Sequence, residues 1–211
     1  YSKIKCGECK LNTKKLTESA MLSALFVVSS MIAIYTGIAY TLYLDMVVPL
    51  FVCLIYMRLD LRHTLLSSIT SLLIVTFAIG DVASAIWMSQ GILMGLICGY
   101  FIRKKETIFD DLFYSAILGT FIMVLIDIYF SKLTGYSFMK EFDSYRDLFP
   151  LGSEYMAMAF NIFVAMMPMS TILIVYVGAL LIGKKLMILN ENCTEKYMII
   201  KNFKRFGSYI C

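Results

Sequence analysis

The sequence predicts an all-α integral membrane protein, a bundle of six transmembrane helices with both termini on the cytoplasmic side. Three observations carry this reading. The 211 residues are 60% hydrophobic with a mean hydropathy of +0.78, far more apolar than a soluble domain that must wet its surface. Charged residues make up only 16% of the chain and cluster, leaving long uncharged runs. A hydrocarbon slab imposes that spacing, because a charge at its centre costs roughly 2.5–3.5 kcal/mol. The basic residues, finally, fall almost entirely on one side of the plan that these runs define.

Between Glu18 and Asp45 lie 26 uncharged residues, enough for a first span over about 20–35 before Gly37 loosens the helix. Between Asp45 and Arg58 lie only 12, which as helix rise about 18 Å against a core of about 30 Å. The second span therefore begins earlier, near Tyr40, or stops short of the outer surface, and Asp45 lies at or inside the outer boundary. The third span covers about 64–80, the fourth 82–102, the fifth 112–131 and the sixth 155–183. Between the last two, Phe138, Met139, Phe142, Tyr145, Leu148 and Phe149 recur at helical spacing among charged residues, and Pro150 and Gly152 end the pattern. This predicts a short amphipathic helix on the outer face, either an interfacial anchor or a lid over a pocket. The resulting organisation is a basic cytoplasmic tail over 1–15, a membrane domain over 16–185 and a second basic cytoplasmic tail over 186–211.

Of the 19 Lys and Arg residues, five lie in the N-terminal tail, two (Arg58, Arg62) between spans two and three, three (Arg103, Lys104, Lys105) between spans four and five, and six from Lys184 onward. Only Lys132, Lys140 and Arg146 fall on the opposite side. Cytoplasmic loops retain positive charge, so both ends are assigned inside. Asp45, Asp81, Asp127, Glu141, Asp143, Asp147 and Glu154 gather on or near the outer side. The net charge of +4 is thereby explained without a nucleic-acid partner. The basic start leads into a full-length apolar helix with no small-residue cleavage pattern, so the first span is expected to be retained. The six cysteines lie in apolar runs or in segments facing the reducing side and predict no disulfide framework.

On the fourth span Gly91, Gly95 and Gly99 recur every fourth residue and place three patches without side chains on one face. Helix backbones approach closely at such patches, so the three glycines are read as a helix-packing device. Ala20 and Ala24 form a second small-residue pair in the first turns of the first span, directly after the basic tail. His63 is the only histidine and is expected to face water or headgroups. Its pairing with Cys53 or Cys98 in a membrane cysteine peptidase is the enzymatic alternative, although no third group is evident to orient the pair. Cys6-Gly-Glu-Cys9 has the spacing of half a zinc site without a second pair, and free thiols are expected. Neither a phosphate-binding loop nor a dinucleotide fingerprint occurs.

A basic tail, an Ala-x-x-x-Ala first helix and six short spans with both ends inside resemble the substrate-binding S component of energy-coupling factor (ECF) vitamin transporters. The Arg58-Leu-Asp-Leu-Arg62 turn and the span from Gly91 to Gly99, ending in Arg103-Lys104-Lys105, are similar to the YybS-like membrane proteins. The resemblance covers roughly residues 14–185. It implies a bacterial plasma-membrane protein that is not itself an enzyme and carries no cofactor. It also implies a vitamin-like small molecule bound from outside, docking through Ala20 and Ala24 onto a transmembrane coupling subunit, and separate ATPase subunits. Family members bind ligand under the outer loops, where this chain gathers Asp45, Asp81, Trp87, Gln90, Asp127 and Asn161. Asp127 stands out because it follows 15 uncharged residues within a span, and intramembrane acids mark functional sites. A salt bridge to Lys132 is the structural alternative, as an aromatic belt is for Trp87. Besides the peptidase, a non-catalytic membrane scaffold is the remaining alternative.

The topology has a direct test. A cysteine introduced at Lys140 should react with an impermeant thiol reagent added to intact cells, whereas one introduced at Lys185, beside the tail that carries Cys193, should not. The reverse pattern would invert the assignment.

Overall fold

The computed structural model describes residues 13–37, 43–80, 82–134 and 153–210, and all regular structure among them is helical. Helix α1 is Thr13–Thr36. A π-helical turn, Tyr43–Val47, leads into α2, Val48–Arg58. Then follow α3 (Leu61–Ile79), α4 (Val82–Arg103), α5 (Ile108–Thr134), α6 (Ser153–Lys185) and α7 (Glu191–Ile210). The stretch expected to form an amphipathic outer helix, 138–149, lies outside the described residues, as do Cys6, Cys9 and Asp81.

Local chemistry accounts for several boundaries. Helix α3 stops at Gly80, whose left-handed backbone (φ 72°) lets its N–H return to the Thr76 carbonyl, the usual glycine C-cap. Helix α5 starts before its charge-free run because Thr107 caps it. The Thr107 hydroxyl accepts the Asp110 N–H at 3.3 Å and donates to the Asp110 carboxylate at 2.6 Å. Pro49 lacks the N–H that would return to the Asp45 carbonyl, and the widened π turn lies directly upstream of it.

Among the described residues, five helices are long and apolar enough to cross a membrane: α1, α3, α4, α5 and α6. Helix α2 differs. With its π turn it spans Tyr43 to Arg58, about 24 Å at an α-helical rise, against a core of about 30 Å. It is buried in protein along Val48, Pro49, Val52, Cys53, Ile55, Tyr56 and Met57, so its length need not match the lipid. The peripheral helices instead turn apolar side chains outward. Phe77 on α3 and Phe109 on α5 are 84% and 81% exposed, a pattern suited to hydrocarbon rather than water.

Helix α2 lies against the glycine face of α4. Added Cβ atoms would meet the Val48 side chain at 3.0 Å from Gly91, Val52 Cβ at 2.8 Å from Gly95 and the Tyr56 ring at 2.8 Å from Gly99. The Gly95 position also abuts the Pro49 carbonyl. Two cores flank this contact. One joins Phe26 and Val27 of α1, Tyr43 and Leu44 of the π turn, Val48 and Val52, Val75 of α3, and Met88 and Ile92 of α4. The other joins Cys53 and Met57, Met94, Cys98 and Ile102 to Ile172, Val175, Tyr176, Ala179 and Leu180 of α6 and Cys193 of α7.

Helix α1 packs on α3 along a seam of small hydroxyl residues. Thr64, Ser67, Ser68 and Ser71 are buried at helical spacing on α3. Ser23 bonds Ser67 at 2.5 Å, and the Ser19 hydroxyl donates to the His63 carbonyl at 3.4 Å. Small side chains admit a close approach, and the Ser23–Ser67 pair bonds across it where lipid supplies no hydrophobic drive, while the Ser68 and Ser71 hydroxyls are buried without partners among the described residues.

The segments rich in Lys and Arg meet at one end of the bundle. Lys15 pairs with Asp60 at 2.6 Å and Arg58 with Glu18 at 3.1 Å, tying the start of α1 to the α2–α3 turn. Arg103 donates to the Leu59 and Tyr56 carbonyls at 3.1 and 3.3 Å and stacks on the Tyr56 ring. Lys196 of α7 reaches the last carbonyls of α4. Four segments separated in sequence thus share a single basic end.

Substituting the glycines tests the α2–α4 contact. Gly95→Ala should destabilise by about 1–3 kcal/mol, as overpacking does, and more than Gly91→Ala, because its Cβ would press closer on the Pro49 backbone than a Cβ at Gly91 would on the Leu44 carbonyl. Thermal unfolding of the two purified variants in detergent checks the order.

Candidate functional site

The residues expected to line an outer pocket come from neighbouring elements. Asp45 sits on the π turn, which packs against α4 and α6. Trp87 and Gln90 are on α4, Asp127 on α5 and Asn161 on α6. Asp45 and Trp87 are exposed and Gln90 half-buried. Asp81 and the side chains of Asp127 and Asn161 lie outside the described residues. The elements that carry the cluster are therefore neighbours. Lys132, the alternative partner for Asp127, places its ammonium over the Tyr129 ring at 6.0 Å.

Ala20 and Ala24 are exposed, one turn apart on α1, and Met21, Leu25, Val28 and Ile32 are exposed around them. The opposite side of the same helix is held to its own bundle by Ser19, Ser23 and Phe26 and by the two ion pairs at its start. The alanine face is consequently pinned in orientation and open.

His63 departs from the expectation that it faces water or headgroups. Both ring nitrogens are shielded from solvent and have no hydrogen-bonding partner among the described residues. The packing of α1 on α3 covers this turn, since Ser19 approaches the His63 backbone. Cys53 and Cys98 lie together with Cys193 in a core cluster to which His63 does not belong. No hydrogen bond joins a cysteine to His63 among the described residues; Cys193 donates instead to the Ile102 carbonyl at 3.6 Å, and burial pushes its thiol up. No three His, Cys, Asp or Glu side chains group as metal ligands among the described residues.

The strongest polar cluster is one that charge counting along the sequence does not reveal. Asp111, in the first turn of α5, is wholly buried and accepts from Lys196 Nζ at 2.5 Å and from the Tyr176 hydroxyl at 2.7 Å. Lys196 also donates to the Lys104 carbonyl at 2.7 Å and to those of Phe101 and Ile102 at 3.2 Å. One ammonium thereby neutralises an acid at a helix N-terminus and satisfies the open carbonyls at the end of α4. Asp111 Oδ1 and, one turn on, Ser115 Oγ are buried without partners among the described residues. As members of a basic tail, the residues of α7 read only as topology markers. The signal that was present is the helical recurrence of Cys193, Tyr197 and Ile200 around Lys196.

A family model described as a predicted membrane protein (DUF2232) matches residues 24–147, more than half of the chain. The chain belongs to that family. No curated protein and no solved structure matches it.

Two outcomes follow from the ion pairs. Lys196→Met should cost about 3–5 kcal/mol by leaving the Asp111 carboxylate buried and unpaired, and adding Asp111→Leu should recover much of the loss; thermal unfolding of both variants checks this. The hydrogen bond from Lys15, above all, holds the Asp60 carboxyl below its usual 3.8. A depressed carboxyl stabilises above its unfolded pKa and loses that contribution as the pH falls through its folded value. Amide protection at the start of α1, measured against the intrinsic exchange rate at each pH, should therefore fall below about pH 3.8, and Lys15→Met should remove that dependence.

Proposed function

We propose, from the premise that this chain is a DUF2232 membrane protein, that it is the membrane-embedded substrate-binding subunit of an ECF-type importer. It binds a vitamin-like small molecule from outside and docks to a transmembrane coupling subunit through Ala20 and Ala24. The observation that carries this reading is the alanine pair, exposed on a peripheral helix whose other side is locked to the bundle. A face of small residues admits a partner helix closely enough for dispersion to hold it, which lipid would not otherwise favour. The sequence has no phosphate-binding loop, so energy from ATP would enter through separate subunits.

The ligand site of this reading comprises Asp45, Asp81, Trp87, Gln90, Asp127 and Asn161, and all of these but Asp81, which lies outside the described residues, are carried by elements that pack together. Polar groups drawn from several helices are how pockets in bundles are built. The chain then acts by binding and docking, without bond-making chemistry of its own.

Purification from native membranes tests both halves. Ala20→Leu with Ala24→Leu should leave the protein folded yet strip away the co-purifying coupling subunit, because the added side chains hold a facing helix off. Mass spectrometry of the unsubstituted protein should find a bound small molecule, retained by the double variant and lost in Asp127→Asn. Unchanged co-purification would sink the docking role. Docking without any bound molecule would leave a scaffold.

A further inference from the structure

We infer that α7 lies along the membrane surface at the basic end, with the flank that carries Ile199 sunk among lipid chains and the flank that carries Lys201 among headgroups and water. The occupant of its open apolar side is the phospholipid bilayer itself. This reading is independent of the proposed transport role.

Helix α7 has three sides. Cys193 and Lys196 are buried in the bundle, and Ile200 packs partly against the same core. On one flank Ile199 is 52% exposed, and Phe203, Phe206 and Ile210 follow it at the fourth, seventh and eleventh positions in the same helical register. On the other flank the register carries Thr194, Lys201, Arg205 and Ser208. At an α-helical pitch the two flanks are roughly 160° apart. The first turns of the apolar register carry Asn192 and Glu195, but from Ile199 onward the helix has one docked side, one apolar flank and one basic flank, the composition of an interfacial helix.

The contacts of Lys196 set its depth. The carbonyls it binds, Phe101, Ile102 and Lys104, are at the end of α4, whose apolar span finishes at Arg103. Its carboxylate partner, Asp111, lies in the first turn of the α5 span. Helix α7 is thereby held at the level where two spans leave the hydrocarbon. The preceding span ends at Lys185, and Leu189 of the short link packs on the core, so the helix has no slack to move off into water. Charge agrees: Lys105, Lys184, Lys185 and Lys201 are exposed at this end, suited to the phosphates of a headgroup layer.

The test uses the full chain in phosphatidylcholine vesicles. Trp87 is the only tryptophan, so Trp87→Phe gives a silent background for Ile199→Trp and, separately, Lys201→Trp. Emission from the Ile199→Trp probe should be largely lost in lipid brominated on its acyl chains and little affected by aqueous acrylamide. The Lys201→Trp probe should show the reverse. Phe203→Trp, in the same register as position 199, carries the same test should the first variant not fold. An apolar-flank probe untouched by brominated lipid overturns the inference, whether acrylamide reaches it, as in open water, or fails to, as beneath a second copy or another protein.

Discussion

The close contact of α2 with α4 is the constraint on which the rest depends. In lipid, apolar side chains gain little by leaving one hydrocarbon surface for another, so helices associate where their backbones approach. Gly91, Gly95 and Gly99 provide that approach along three turns of α4, and Val48, Val52 and Tyr56 occupy it. Both hydrophobic cores include residues of these two helices. Helices α1 and α3 add to one side of the pair and α5, α6 and α7 to the other. Burial of α2 in protein also explains how a helix too short for the bilayer is accommodated. Its ends meet side chains rather than lipid, and Arg103 takes the carbonyls at its C-terminal end.

The same economy governs the basic end. Helix C-termini leave carbonyls open, and near hydrocarbon an unmet carbonyl is costly. Arg103 closes α2, and Lys196 closes α4. Both are residues that a count of charges assigns to cytoplasmic loops. They serve orientation and architecture together, since the charge that favours one face of the membrane also complements the negative end of a helix dipole.

Helix α1 is built differently from the central pair. It is fastened through hydroxyl contacts and two ion pairs while a broad apolar face, Ala20 and Ala24 included, is left to its surroundings. Such a helix is firmly oriented yet largely uncovered.

The spans were legible in the sequence because the signal for each is local. An uncharged run long enough to cross hydrocarbon marks a helix wherever it stands, and the recurrences of Gly91, Gly95 and Gly99 and of Ala20 and Ala24 survive as faces in any helical fold. Boundaries were read less well where a cap extends the helix past its charge-free run, as Thr107 does for α5. Which face meets which neighbour is not local. That His63 is shielded, that three cysteines share a core, and that Lys196 enters the bundle to meet Asp111 depend on contacts between residues far apart in sequence, 85 positions for Lys196 and Asp111. Composition alone determined that this chain lives in a membrane and which residues gather at one end of it. Only the packing of α7 against α4, α5 and α6 decided that one lysine of that basic end is a buried structural charge, because a buried charge is stable only where a partner and open carbonyls have already been brought together.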